Sequence, residues 1–181
     1  MKKLLSLLLI TMLVVPLTAL GETSVEFTDY THPDDGFKTV YPIGWDVTTD
    51  DTLTTFTSED GAIGFLVLYM PIGVPLDAPD LKEVMIEQDM IGILVDSAGI
   101  EAYVSQVDGE ILAINDIGYV IYGGVGEQNG DRAAIFTAST CATGTLYIIT
   151  FVANMSKVND EELQGVLAQT VLDSFVPSPA Q

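Results

Sequence analysis

The 181-residue sequence predicts an α+β fold, an antiparallel sheet with helices packed on it. Segments that alternate apolar and polar residues follow one another closely, as the strands of hairpins do. Clusters rich in Gly, Pro, Asp and Asn separate them. Two stretches carry apolar residues at helical spacing, one in the middle of the chain and one near its end. That is too few for the crossover helices of a parallel doubly wound sheet.

The chain opens on Lys2 and Lys3, followed by Leu4 to Leu17, an apolar run interrupted by Ser6, Thr11 and Pro16. Thr18-Ala19-Leu20-Gly21 then places small residues before a cut after Gly21. This order predicts a secretory signal peptide over residues 1–21. The run is short for a bilayer span, which takes about 20 residues. No cysteine follows it to carry a lipid. The predicted address is secreted or periplasmic, with a mature form that does not span the membrane. Residues 22–176 read as one domain and 177–181 as a loose tail.

Val25 to Asp29 alternates as a short strand, and Thr31-His32-Pro33-Asp34-Asp35-Gly36 is a dense turn cluster. Phe37 to Tyr41 is the next strand, stopped by Pro42. Gly44 permits a bend, after which Trp45 and Val47 share a face. Leu53 to Thr57 alternates again, and Ser58-Glu59-Asp60-Gly61 links it to the apolar strand Ala62 to Met70. Pro71 to Pro79 is a loop. A helix is predicted from Asp80, with Asp80 as its cap and Glu83 completing a capping-box pattern. Its stripe is Leu81, Val84, Met85, Met90, Ile91, Leu94 and Val95, and Gly99 ends it.

Glu101 to Val107 reads as a strand, Asp108-Gly109 as a hairpin turn, and Ile111 to Ile114 as a strand. Asn115-Asp116 turns into the strand Ile117 to Tyr122, and Gly123 to Asp131 is expected to be a flexible acidic loop. Arg132 to Ala138 and Leu146 to Val152 form a predicted hairpin across Ser139 to Thr145. Asn159 or Asp160 caps the last helix, which runs to about Ser174. Its buried face is Leu163, Val166, Leu167, Thr170, Val171 and Phe175.

Charge bounds the function. The chain carries 26 acidic and 6 basic residues, and loss of Lys2 and Lys3 with the leader leaves 4 basic against 26 acidic, a net −22. Such a surface repels phosphate backbones, which argues against nucleic acid as a partner. Cationic partners and divalent ions remain compatible with it. The single cysteine, Cys141, can make no internal disulfide; it reads as a structural thiol beside a turn, with pairing between two chains as the alternative. No CxxC or Cys/His cluster supports a zinc site.

His32 is the only histidine. It precedes Pro33 in a turn that reads as exposed, and no serine has a G-x-S-x-G context, so no nucleophilic triad is expected. Carboxylate pairs are too abundant to mark a glycosidase. Oxygen-rich turns supply calcium-type ligands instead, with Asp34, Asp35, Glu59 and Asp60 as metal candidates, although no EF-hand spacing is present. No other cofactor is expected.

Two segments carry a family signature. One is Tyr30 with Gly36-Phe37-Lys38-Thr39-Val40-Tyr41-Pro42-Ile43-Gly44-Trp45-Asp46-Val47. The other is Leu146-Tyr147-Ile148-Ile149-Thr150-Phe151, then a helix and Val171-Leu172-Asp173-Ser174-Phe175. This "GF…YP.GW.V" opening and "SF" close resemble the PsbP-like family, in the manner of a bacterial exported member. The resemblance implies an α/β/α sandwich, a central antiparallel sheet flanked by helices. It also implies a binding or assembly module, not an enzyme. The expected function is therefore an exported, non-enzymatic module serving an envelope or extracellular protein. The alternative is a calcium- or small-molecule-binding domain.

Overall fold

The computed structural model describes residues 25–34, 36–158 and 161–178, without the side chains of residues 161–164. The predicted leader and the expected cap at Asn159 or Asp160 lie outside the described residues.

Among the described residues, ten strands and three helices follow in order. They are β1 (Phe27–Thr31), β2 (Phe37–Pro42), β3 (Asp46–Thr49), β4 (Leu53–Thr57), β5 (Ile63–Pro71), α1 (Ala78–Glu87), α2 (Met90–Ser97), β6 (Glu101–Ile114), β7 (Ile117–Gln128), β8 (Asp131–Ala142), β9 (Thr145–Asn154), α3 (Glu161–Ser174) and β10 (Val176–Pro177). Seven strands form one antiparallel sheet in the order β3-β4-β5-β9-β8-β7-β6, and β1, β2 and β10 form a small second sheet.

Alternation divides the large sheet into two faces. Phe56, Phe65, Val67, Tyr119, Ile121, Tyr147, Ile149 and Phe151 point to one face, where they meet Phe37 of β2 and Leu167, Val171 and Leu172 of α3. Their neighbours Val120, Tyr122, Leu146 and Ile148 point to the other, where Leu81 and Met85 of α1 cover them. Val95 of α2 packs beside Ile100 and Ile135. The α+β class and the antiparallel sheet are as predicted. The flanking layers differ from a simple helix sandwich. One face is closed by the small sheet together with α3, the other by the α1–α2 pair.

Several elements depart from the sequence reading. The mid-chain helix is two helices. Asp77, not Asp80, is the first cap: the Asp80 N–H donates to Asp77 Oδ1 at 2.9 Å, and proline stands in the first turn. The break falls at Asp89, whose φ is 48°. A continuous helix would bring Gln88 and Asp89 onto the stripe three and four residues after the buried Met85. Breaking there resets the stripe, so that Met90, Ile91 and Leu94 face the sheet. Val84 and Ile86 are left exposed.

Asp108-Gly109 is not a hairpin turn. Gly109 (φ 67°) sits inside the long β6, at one of three register irregularities against β7. A bulge needs the same left-handed freedom as a turn. The β6–β7 turn is Asn115-Asp116, both left-handed (φ 49° and 65°), as its residue types suggested. The expected loop from Gly123 is strand down to Gln128, and the turn is Asn129-Gly130. Likewise β8 runs through to Ala142, and its hairpin turns at Thr143-Gly144.

The family-signature segments meet in space. The Phe37 and Phe175 rings stack with centroids 5.7 Å apart, and Tyr147 packs edge-on to Phe175 at 5.5 Å. Trp45, half-buried, packs at 6.3 Å from Phe65. Pro177, where the tail was expected to begin, pairs with Phe37, and the Ser178 N–H donates to the Gly36 carbonyl at 3.3 Å.

Candidate functional site

His32 was expected in an exposed turn; it is 1% exposed. Strand β1 ends at Thr31, but the His32 N–H still donates to the Phe37 carbonyl at 3.0 Å. The alternation that turns Tyr30 inward therefore carries on to His32. Its ring lies 4.8 Å from Tyr69, edge-on, and 5.4 Å from Phe37. A Cβ on Gly36 would come within 3.3 Å of His32 Nδ1, so this signature glycine gives the imidazole its room. Nδ1 accepts the Asp34 N–H at 3.3 Å, which assigns the ring proton to Nε2. Nε2 has no hydrogen-bond partner. A catalytic base must reach a substrate proton within hydrogen-bond distance. His32 is sealed from any substrate in this conformation. The Tyr30–His32 parity was the sequence signal for this burial, masked by the turn residues that follow.

The four metal candidates fall on two connections. Asp34 lies exposed between β1 and β2, and Asp35 lies outside the described residues. Glu59 and Asp60 lie exposed between β4 and β5. Asp60 Oδ1 accepts the Ser58 hydroxyl at 2.8 Å and the Ala62 N–H at 3.0 Å. The Ala62 amide first, and then the Ser58 hydroxyl, hold its carboxyl below the ordinary value. These bonds fold the turn and occupy one oxygen. Among the described residues, no three His, Cys, Asp or Glu side chains stand close enough to hold one metal ion.

Cys141 is half-buried beside the β8–β9 turn, and its Sγ donates to the Val74 carbonyl at 3.6 Å. The glycine-rich segment expected as a loop is instead a packing surface. A Cβ at Gly124 would collide with the Val104 carbonyl and the Tyr103 ring, and one at Gly126 would strike Ile100. The crevice between α2 and the sheet, bounded by Leu94, Tyr103, Tyr122 and Thr137, has no room for a water molecule. The hydroxyl of Tyr122 is buried without a partner, and burial, then Asp108, raises its pKa. No helix among the described residues is long and apolar enough to cross a membrane.

No protein-family model matches the chain, and no curated protein matches it by sequence. Solved structures do match it. Cyanobacterial PsbP (CyanoP) from Synechocystis sp. PCC 6803 superposes with a TM-score of 0.61 at 16% identity, over 91% of this chain and 100% of that one. The Ran-binding protein Mog1p of Saccharomyces cerevisiae gives 0.57 at 15% identity, over 86% and 97%. A Bacteroides thetaiotaomicron protein gives 0.54 at 12% identity over 83% of this chain, which spans about half (48%) of its length. The chain thus has the fold of PsbP and Mog1p, in agreement with the resemblance carried by its opening and closing segments.

Proposed function

We propose that this chain is an exported, non-enzymatic binding or assembly module of the cell envelope or extracellular space. The observation that carries the reading is the likeness to Mog1p and CyanoP over most of the chain, at identities of 15% and 16%. Mog1p is described as Ran-binding, so this fold serves a protein whose ligand is another protein. The sealed imidazole of His32 supports the non-enzymatic side, because it removes the only histidine from reach of a substrate. The order of charged start, apolar run and small residues over 1–21 supports export. The test is cross-linking and affinity capture from the envelope fraction and medium of the source cell. A partner recovered in stoichiometric amount supports the module. Turnover of an ester, glycoside or peptide substrate abolished by a point substitution overturns it.

The second reading is a calcium-binding domain, for which the exposed Glu59 and Asp60 of the β4–β5 connection offer carboxylate oxygens. A melting temperature that rises with millimolar calcium, and no longer does so in Asp60→Asn, supports it. An unchanged melting temperature removes it.

A further inference from the structure

Strand β6 ends the large sheet, and among the described residues no further strand pairs beyond it. Along most of its length three register irregularities distort it, the last between Asp108 and Glu110. From Glu110 to Ile114 the pairing with β7 is regular. The two-residue turn at Asn115-Asp116 fixes which backbone groups face outward. Ile114 and Ile117 close the turn as a hydrogen-bonded pair, so Leu112 with Tyr119 and Glu110 with Ile121 are bonded too. Ile111 and Ala113 fall in the alternate pairs and direct their N–H and C=O away from β7. The second hairpin gives the same answer: its pairing commits Val120, the partner of Ile111, to Ser139 of β8.

This open stretch is not dressed as a protected edge. Ile111 is 51% exposed, Ala113 is exposed and Leu112 half-buried. No lysine, arginine or proline stands on it. Carboxylates line it instead, with Glu110 beside Ile111 and Asp108 before it. The aliphatic arm of Lys82 comes up beside Gly109, next to the regular stretch. The edge at β3 offers four residues, most of them exposed and polar.

We propose that Glu110–Ile114 of β6 is a docking edge for an extended, cationic segment of a partner protein, which adds as a further strand. This rests on the binding-module reading and names the kind of partner. Main-chain bonds to Ile111 and Ala113 supply the pairing. A partner that alternates Lys and Val sets its apolar side chains beside Ile111 and its ammonium groups beside Glu110. Charge selects this occupant over a second copy, because two such edges oppose like carboxylates on chains that each carry 26 acidic residues.

The probe is an acetylated, amidated peptide of three Lys-Val repeats, titrated against the mature chain while backbone amide exchange is read. The expected result is slowed exchange at Ile111 and Ala113, and no binding of a peptide methylated on alternate backbone nitrogens. Ala113→Pro removes an outward N–H without breaking a bond to β7, so it should fold and weaken the peptide by about fivefold or more. Ile111→Lys leaves the backbone intact, removes the apolar contact and repels a cationic strand, should weaken binding likewise, and decides the question if Ala113→Pro does not fold. Equal binding by Ile111→Lys overturns the proposal, as does equal binding of the methylated peptide or protection confined to Asp46–Thr49. A stable dimer of the free chain that protects the amides of Ile111 and Ala113 overturns the choice of occupant. If wild type and Ile111→Lys capture the same envelope partner equally, the docking edge falls while the binding-module reading stands.

Discussion

The two faces of the large sheet are built from different materials. One is aromatic. Phe56 and Phe65 stack with centroids 4.3 Å apart, Phe65 continues to Phe151 at 5.4 Å, and Tyr30, Phe37 and Phe175 close over them from the small sheet and the end of α3. The other is mostly aliphatic, with Leu81 and Met85 of α1 resting on Val120, Tyr122, Leu146 and Ile148. Rings bury a large area and lock through edge and offset geometry, which fixes the layer above them. An aliphatic face sets its helices less rigidly, and there the chain breaks into α1 and α2. The aromatic side should therefore hold the fold, and the helical side should open first.

Replacement of a central ring should show this most strongly. Phe65→Ala leaves a cavity among Trp45, Phe56 and Phe151 and should cost about 3–5 kcal/mol, unfolding the domain as one unit. Met85→Ala on the opposite face should cost about 2–4 kcal/mol. In that variant, amide exchange should quicken in α1 and α2 before it changes in β5 and β9. Urea denaturation gives the totals, and exchange gives the order. Simultaneous loss of all protection in Met85→Ala would mean that the two faces do not differ in this way.

Tyr147→Phe probes how the aromatic face holds the end of the chain. The Tyr147 hydroxyl is shared between the carbonyls of Gly36, at 2.9 Å, and Ser178, at 3.0 Å. Its loss should cost about 1–2 kcal/mol and release β10 from β2, seen as faster exchange at Ser178. On the helical side, Asp77→Ala removes the cap that accepts the Asp80 N–H and should cost about 1 kcal/mol. The change should be confined to α1 and leave Tyr147 and β10 as they are.

The same division separates what could be read in the sequence from what could not. Strands of the aromatic face alternate plainly, and the signature rings Phe37 and Phe175 proved to be the joint between the first and last segments. The failures share one cause: a residue type reports local backbone freedom, not the direction the chain takes next. Gly109 signalled a left-handed residue correctly, but a bulge used it. Gly124 and Gly126 signalled missing side chains, and the Tyr103 ring and Ile100 take up the space. The site fared worse than the fold, because His32 was judged by its turn neighbours and not by its alternation with Tyr30. The open edge of β6 depends on strand order, which no local pattern encodes.

The smallest effects at neutral pH test the two faces through one pair of residues. Tyr119 lies on the aromatic face and Tyr122, three residues on, on the helical face; both hydroxyls are buried without a partner. Tyr119→Phe and Tyr122→Phe should each be within about 1 kcal/mol of neutral at pH 7, because no bond is lost with the hydroxyl. Alkali should separate them. Burial raises both phenols above the ordinary 10.0, Tyr119 strongly, with Asp173 adding to it. A group whose folded pKa is raised gives stability that is complete below its unfolded pKa and declines as pH climbs toward the folded one. Above pH 10, therefore, wild type should lose about 1.4 kcal/mol per pH unit through Tyr119. Tyr119→Phe should resist alkaline unfolding clearly more than wild type, and Tyr122→Phe only slightly more. Equal resistance in the two variants would show that the aromatic face seals its hydroxyl no better than the helical one.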